Sequence, residues 1–254
     1  MNECPLFLVF LATLVAGPLV YAGSNKVMPK KKLDHTRQLI AAHKPVRVVL
    51  YGDSISEVKE GWSGGASAPD NNWGAVLVQK LNEAHPDSEF SIRHFAIGGQ
   101  NTYEGLGRLR YLKKHQPDLV LVAFGANDCN HHEISPEATK RALTELIGET
   151  EERFGADVVV VSTGGDNPQK PFFQHLEETV QAQREAASET DVPFVNVRTA
   201  MLKATDDGDN WGEYHLNPGN CHPNDAGHEV WAKTVFEALQ RIFAQDRTKN
   251  ADPK

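Results

Sequence analysis

Basic residues are the first scarcity in this chain of 254 residues: 26 Lys and Arg stand against 34 Asp and Glu, a formal net charge of -8. Nucleic-acid binders need a basic stripe to meet phosphates, so nucleic acid is excluded as a partner. Cysteine is scarcer still, with only Cys4, Cys129 and Cys221. Set beside His131, His132 and His222, the last two cysteines match no standard zinc-finger spacing. Neither His132-Glu133 nor His228-Glu229 continues into His-Glu-x-x-His, so no metal or other cofactor is expected. Internal repeats and interior linkers are absent too, which leaves one domain of ordinary size.

Long apolar runs are lacking except at the amino terminus, over 5–22. There Val20-Tyr21-Ala22 fits the small-residue rule for cleavage before Gly23, and 1–22 reads as a signal peptide. The usual positive charges before the apolar run are missing, Glu3 being the lone charged side chain. An uncleaved anchor is therefore the alternative, since the run is long enough to span a bilayer. No lipid-attachment cysteine comes after it. Either way the folded part is expected to be exported, secreted or periplasmic, with no stable membrane association after cleavage. In an oxidising compartment Cys129 and Cys221 are a disulfide candidate, with two unrelated thiols as the equal alternative.

The polar stretch 23–44, with Lys26, Lys30, Lys31 and Lys32, reads as a linker leading into a short helix, and 247–254 as a disordered tail. Between them, over 45–246, strand and helix signals alternate. Short apolar runs mark strands over 46–51, 89–97, 119–124, 158–162 and 192–197. Helical spacing fills 73–81, 102–115, 136–154, 171–188 and 226–243. Strands this apolar, separated by helices, predict an α/β domain whose five-stranded parallel sheet is covered on both faces. The longest irregular stretch, 205–223, is of a length that is often functional.

Chemistry gathers where these strands should end. Gly52-Asp53-Ser54-Ile55-Ser56 comes after the first strand and offers a serine at the sheet's ligand-binding edge. Gly98-Gly99-Gln100-Asn101-Thr102 comes after the second, and Gly125-Ala126-Asn127-Asp128 after the third. His222-Pro223-Asn224-Asp225 opens the last helix. A serine hydroxyl is a poor nucleophile at neutral pH and needs an imidazole to take its proton as it attacks. The oxyanion then needs fixed donors, which glycine main chain and an asparagine amide can supply.

These four blocks, in this order, resemble the SGNH (GDSL) hydrolase superfamily over about 45–243. The resemblance implies a three-layer, flavodoxin-like fold and ester hydrolysis through an acyl-serine intermediate. It makes Ser54 the nucleophile and His222 its base. The oxyanion hole would be the N–H groups of Ser54 and Gly99 with the Asn127 amide. Asp53, next to the nucleophile, reads as a local hydrogen-bonder rather than the acid of the triad. The family usually has an aspartate three residues before the histidine, and Gly219 stands there. This leaves three readings. A main-chain carbonyl near Gly219 orients the ring, giving a Ser-His dyad, which is the favoured reading. An acid among Asp206, Asp207, Asp209 and Glu213 swings in. Or the site is degraded, leaving a non-catalytic glycan-binding module. If Asn127 and His222 line one pocket, Cys129 and Cys221 are expected to bridge and fix the histidine loop.

Gly61-Trp62-Ser63-Gly64-Gly65 matches a nucleophile elbow in letters but lacks the buried strand that such an elbow needs. His228 reads as a packed helix residue, and Asn224 or Asp225 as the helix cap. Trp62, Trp211 and Tyr214 fall on loops beside the pocket, as sugar-stacking platforms or as anchors. They tilt the expected substrate toward a carbohydrate ester, small or polymeric, carrying acetyl or another short acyl group. A lipid-directed esterase, a lysophospholipase or an acyl-thioesterase, is the alternative.

Overall fold

The computed structural model describes residues 33–58, 71–130 and 134–244. The expected signal peptide, the tail, Trp62 with its elbow-like motif, and His131 and His132 lie outside the described residues. Five strands form one parallel sheet: β1 (Val46–Gly52), β2 (Phe90–His94), β3 (Leu119–Ala123), β4 (Asp157–Val161) and β5 (Phe194–Val195), in the order β2-β1-β3-β4-β5. This is the flavodoxin-like order, which reverses direction at β1 and β3. The chain leaves Gly52 toward one side and Ala123 toward the other, and the two departing loops frame a crevice at the sheet's carboxyl edge.

Alternate residues of each central strand serve different layers. Val48, Leu50, Leu121 and Val159 pack against α2 (Trp73–Ala84), α7 (Val197–Ala204) and α9 (Asp225–Ala244). Val49, Tyr51, Val122 and Val160 pack against α5 (Pro136–Phe154), α6 (Leu176–Glu189) and a 3₁₀ turn, Leu109–His115. Burial on both sides is why these strands read as near-continuous apolar runs, with Arg47 of β1 the exposed exception. The short helix expected at the end of the polar stretch is α1 (Asp34–Ala41). It is tied to the sheet: the Thr36 N–H donates to the Asp157 carboxylate at 2.7 Å, and Leu33 is buried in the core.

Where boundaries differ from expectation, a side chain intervenes. The second strand was expected to reach 97 but ends at His94; beyond it, Phe95 and Ile97 still donate to the Leu50 and Gly52 carbonyls. The last strand stops at Val195 because the Asn196 side chain accepts the Thr199 N–H at 3.0 Å and starts α7. α6 begins at Leu176, not 171, because buried Asp166 holds the Phe172 and Phe173 N–H groups in a loop. The helix over 102–115 divides into α3 (Thr102–Arg108) and the 3₁₀ turn. Three residues per turn align Leu109 and Leu112 on the buried face there.

Two short helices sit at the sheet's carboxyl edge, α4 (Ala126–Asn130) and α8 (Trp211–Tyr214). α9 is brought against α8 at Gly227, where a Cβ would overlap the Tyr214 carbonyl oxygen and lie 2.6 Å from Pro223 Cβ. Gly227→Ala is therefore expected to lose on the order of 1–3 kcal/mol of stability, as overpacked sites do. Chemical denaturation read by far-UV circular dichroism checks this.

Candidate active site

Ser54 occupies a tight turn at the end of β1, closed by the Ser56 N–H donating to the Asp53 carbonyl at 3.0 Å. The Asp53 side chain accepts the Ile55 N–H at 3.1 Å, as expected of a local hydrogen-bonder. Behind the turn, a Cβ at Gly52 would collide with the Ala123 carbonyl, so only glycine lets β1 and β3 approach so closely here. Arg108 buttresses the same turn from below. Its guanidinium lies 4.4 Å from the Tyr51 ring centroid and donates to the carbonyls of Phe95 and Gly52.

The Gly98-Gly99 turn packs on the serine. A Cβ on Gly98 would stand 3.5 Å from Ser54 Cβ, and Gly99 has φ 80°, a left-handed conformation suited to glycine. One residue on, the Gln100 carbonyl accepts the Asn127 side-chain amide at 2.9 Å. That bond joins the loops after β2 and β3 across the crevice. The main-chain N–H groups of Ser54 and Gly99 have no acceptor among the described residues, and the Asn127 amide keeps a second N–H.

His222 closes the arrangement. Its Nε2 is 2.8 Å from Ser54 Oγ, and its Nδ1 is 2.7 Å from the side-chain oxygen of Asn220. The expected main-chain carbonyl is thus replaced by a side chain. The carboxylates of Asp206, Asp207, Asp209 and Glu213 form no hydrogen bond with the ring; Asp209 is taken up by Gln169. The same Asn220 oxygen accepts the His222 main-chain N–H at 2.8 Å. That N–H can only donate, so the atom facing it must be the amide oxygen. The ring must then donate from Nδ1, leaving the lone pair on Nε2 toward the serine. Burial lowers the pKa of His222, which favours the neutral ring.

Main-chain bonds hold this loop. Leu216 N–H donates to the His222 carbonyl, His215 bridges Pro223, and the Asn224 amide donates to the carbonyls of Glu213 and His215. The Asn224 side-chain oxygen accepts the Gly227 N–H, so Asn224 caps α9. Trp211 is no exposed platform. It is buried, stacks on His215 at 3.8 Å, and donates its indole N–H to the Asn220 carbonyl at 2.8 Å. Tyr214 is half-buried against the core, and His228 packs inside α9, its pKa pushed down to about 3 by burial.

The expected disulfide is a correction: Cys129 and Cys221 are free thiols. Cys129 donates its S–H to the Gly125 carbonyl at 2.8 Å and packs beside Leu176 and Val180. Cys221 Sγ lies 3.7 Å from His222 Nδ1. Burial raises both thiol pKa values, that of Cys221 to about 12, so neither forms thiolate near neutrality.

Asp53 is buried beside Ser54. Burial chiefly, with the Asp128 carboxylate adding to it, pushes its pKa up to about 7 against the Ile55 and Ala126 N–H groups. A neutral Asp53 keeps negative charge away from the neighbouring Ser54. Unfolding releases its proton at any pH between about 4 and about 7, so its contribution to stability is greatest below about 4 and is lost as pH rises toward 7. Asp53→Asn is expected to flatten that part of the Tm–pH curve, measurable by scanning calorimetry.

Residues 50–230 match the family model of the GDSL-like Lipase/Acylhydrolase family. The chain belongs to this family. Its members of this type are ester hydrolases, and so is this protein. It is 30% identical over 222 residues to a rhamnogalacturonan acetylesterase, RhgT, of Bacillus subtilis, covering 78% of this chain and 91% of the relative. The Escherichia coli thioesterase 1/protease 1/lysophospholipase L1 is 34% identical over 101 residues, which span 39% of this chain and 43% of that one. Among solved structures, a two-domain esterase active on acetylated mannans superposes with a TM-score of 0.69 at 18% identity, over 88% of this chain and 56% of that chain. A catalytic mutant of Axe2, an acetylxylan esterase from Geobacillus stearothermophilus, gives 0.63 at 18%, over 76% and 94%. These likenesses show a shared α/β fold, in agreement with the five-stranded parallel sheet. Among the described residues no helix is long and apolar enough to cross a membrane.

Proposed function

We propose that this protein is an exported esterase that removes acetyl groups from a carbohydrate through an acetyl-Ser54 intermediate. The observation that carries the chemistry is the 2.8 Å approach of Ser54 Oγ to the unprotonated Nε2 of His222, beside N–H donors that have no acceptor among the described residues. His222 Nε2 takes the hydroxyl proton as Ser54 Oγ attacks the ester carbonyl. The oxyanion is received by the N–H groups of Ser54 and Gly99 and the second N–H of Asn127. Collapse breaks the ester C–O bond, and His222 returns the proton to the departing sugar oxygen. Water then enters, loses a proton to His222 and attacks the acyl-serine. Ser54 takes that proton back as acetate leaves.

The carbohydrate half of the proposal rests on the likeness to RhgT, which spans most of both chains. The names of the mannan- and xylan-directed structural neighbours agree with it. The apolar segment over 5–22 supports export. Acetate release from acetylated pectic, xylan and mannan polymers, compared with hydrolysis of long-chain acyl esters, tests the assignment, with Ser54→Ala as control. Ser54-dependent acetate release from at least one polymer is expected. Turnover confined to long acyl chains would favour the lipid-directed reading instead.

A further inference from the structure

We infer that Asn220 is the positioning residue standing in for the absent triad aspartate, so that His222 works with a neutral acceptor and without a counter-charge. The inference rests on the hydrolytic reading of Ser54 and His222 and extends it. Gly219, where the family's aspartate is expected, carries no side chain, and a Cβ there would meet Asn217 Oδ1 alone, at 3.7 Å. One residue later the chain supplies an oxygen at the correct ring nitrogen, 2.7 Å from Nδ1.

That oxygen is held from three sides. Its own acceptor bond to the His222 main-chain N–H closes a small ring of atoms that fixes the Asn220 side chain relative to the imidazole. The Asn220 carbonyl receives the indole N–H of buried Trp211, and the Asn220 N–H donates to the Asn217 carbonyl at 3.1 Å. Trp211 in turn lies flat on His215, 3° from parallel. A loop that looked irregular in sequence is thus a rigid mount for one amide oxygen.

A carboxylate and an amide oxygen orient the ring equally, but they differ in what they do once it is protonated. A carboxylate meets the imidazolium with a full opposite charge; an amide offers a dipole. Among the described residues, no other titratable group near His222 brings such a charge into contact with the ring. These groups are the Cys221 thiol on its own loop, His215 beyond α8, His228 on α9, Asp53 after β1 and Asp166 after β4. His215 and His228 add only like charge when protonated. Asp53 and Asp166 act on the Cys221 thiol, and neither hydrogen-bonds the ring. Burial lowers the ring's pKa, and no carboxylate among the described residues hydrogen-bonds the ring to raise it, so activity should persist further into the acid range than carboxylate-paired histidines allow.

The test is the pH dependence of kcat/KM on a small acetyl ester for wild type, Asn220→Asp and Asn220→Ala, together with the ring tautomer read by ¹⁵N NMR of labelled histidine. Asn220→Asp keeps the shape and adds the charge. It is expected to move the acid limb upward by about one pH unit or more while plateau turnover is kept or raised. Asn220→Ala is expected to lose on the order of 10²-fold in kcat with KM unchanged, as displaced catalytic groups do. In wild type the His222 signals should report protonated Nδ1. A role confined to loop structure would leave the Asn220→Asp profile superposed on wild type, and that result overturns the inference. So does a wild-type ring protonated at Nε2, whatever the activity. Esterase activity surviving in Ser54→Ala would instead overturn the hydrolytic reading, with the NMR result still deciding the role of Asn220.

Discussion

Replacing His222 by alanine is expected to cut kcat toward acetyl esters by about 10⁴–10⁶-fold while KM changes little. The ring supplies the only base within hydrogen-bonding distance of Ser54 Oγ among the described residues, at 2.8 Å. Without it the attacking oxygen must shed its proton to water, and the leaving alcohol oxygen must depart unprotonated. Both transfers fail together, which is why the effect is so large and falls on turnover. The loop should survive the change, because its bonds at this position are made by main chain: the His222 N–H to Asn220 and the His222 carbonyl from Leu216. Steady-state kinetics beside a thermal melt separate loss of chemistry from loss of fold. A retained Tm with collapsed kcat is the expected pairing.

Asn127→Ala is expected to lower kcat by about 10²–10³-fold, the worth of one oxyanion donor in a preorganised site. One N–H of this amide is committed to the Gln100 carbonyl, which leaves the other for the developing charge. Because the oxyanion exists only after attack, the loss should fall on kcat, with ground-state binding kept. The bond to Gln100 complicates the experiment in a measurable way: its loss costs on the order of 1 kcal/mol of stability. Calorimetry on the variant reads that cost, and kinetics well below its Tm read the donor. If kcat fell only as far as the altered fold population requires, Asn127 would be a loop tie and no more.

The central sheet was legible because its physics is local. β1, β3 and β4 are buried on both faces over most of their length, so their sequences are near-continuous apolar runs, interrupted only by exposed Arg47 in β1 and by Asp157 at the start of β4. α5 fills the expected span 136–154, and the structure caps it with Ser135 at its start and left-handed Gly155 at its end. The early end of the last strand and the late start of α6 were not legible. Each depends on a side chain, Asn196 or Asp166, choosing a main-chain N–H over solvent.

The site divides the same way. Ser54, Gly99, Asn127 and His222 stand in motif blocks at strand or helix ends, and the fold brings them to one crevice. Asn220 was passed over because reading back three residues from the histidine looks for a carboxylate at Gly219. Its position two residues before His222, in a loop closed by Trp211, was the available signal. The disulfide expectation failed because proximity in sequence to two pocket residues does not fix where a thiol points. α4 commits Cys129 to the Gly125 carbonyl and to its apolar neighbours.

Rapid-quench mass spectrometry of the peptide that contains Ser54, after mixing the protein with an activated acetyl ester, tests the acyl-enzyme most directly. One acetyl group on Ser54, formed and then lost within a turnover and absent from His222→Ala, is the predicted result. Substrate turnover with Ser54 unmodified throughout, or with the acetyl group carried on Ser56 instead, would contradict the mechanism.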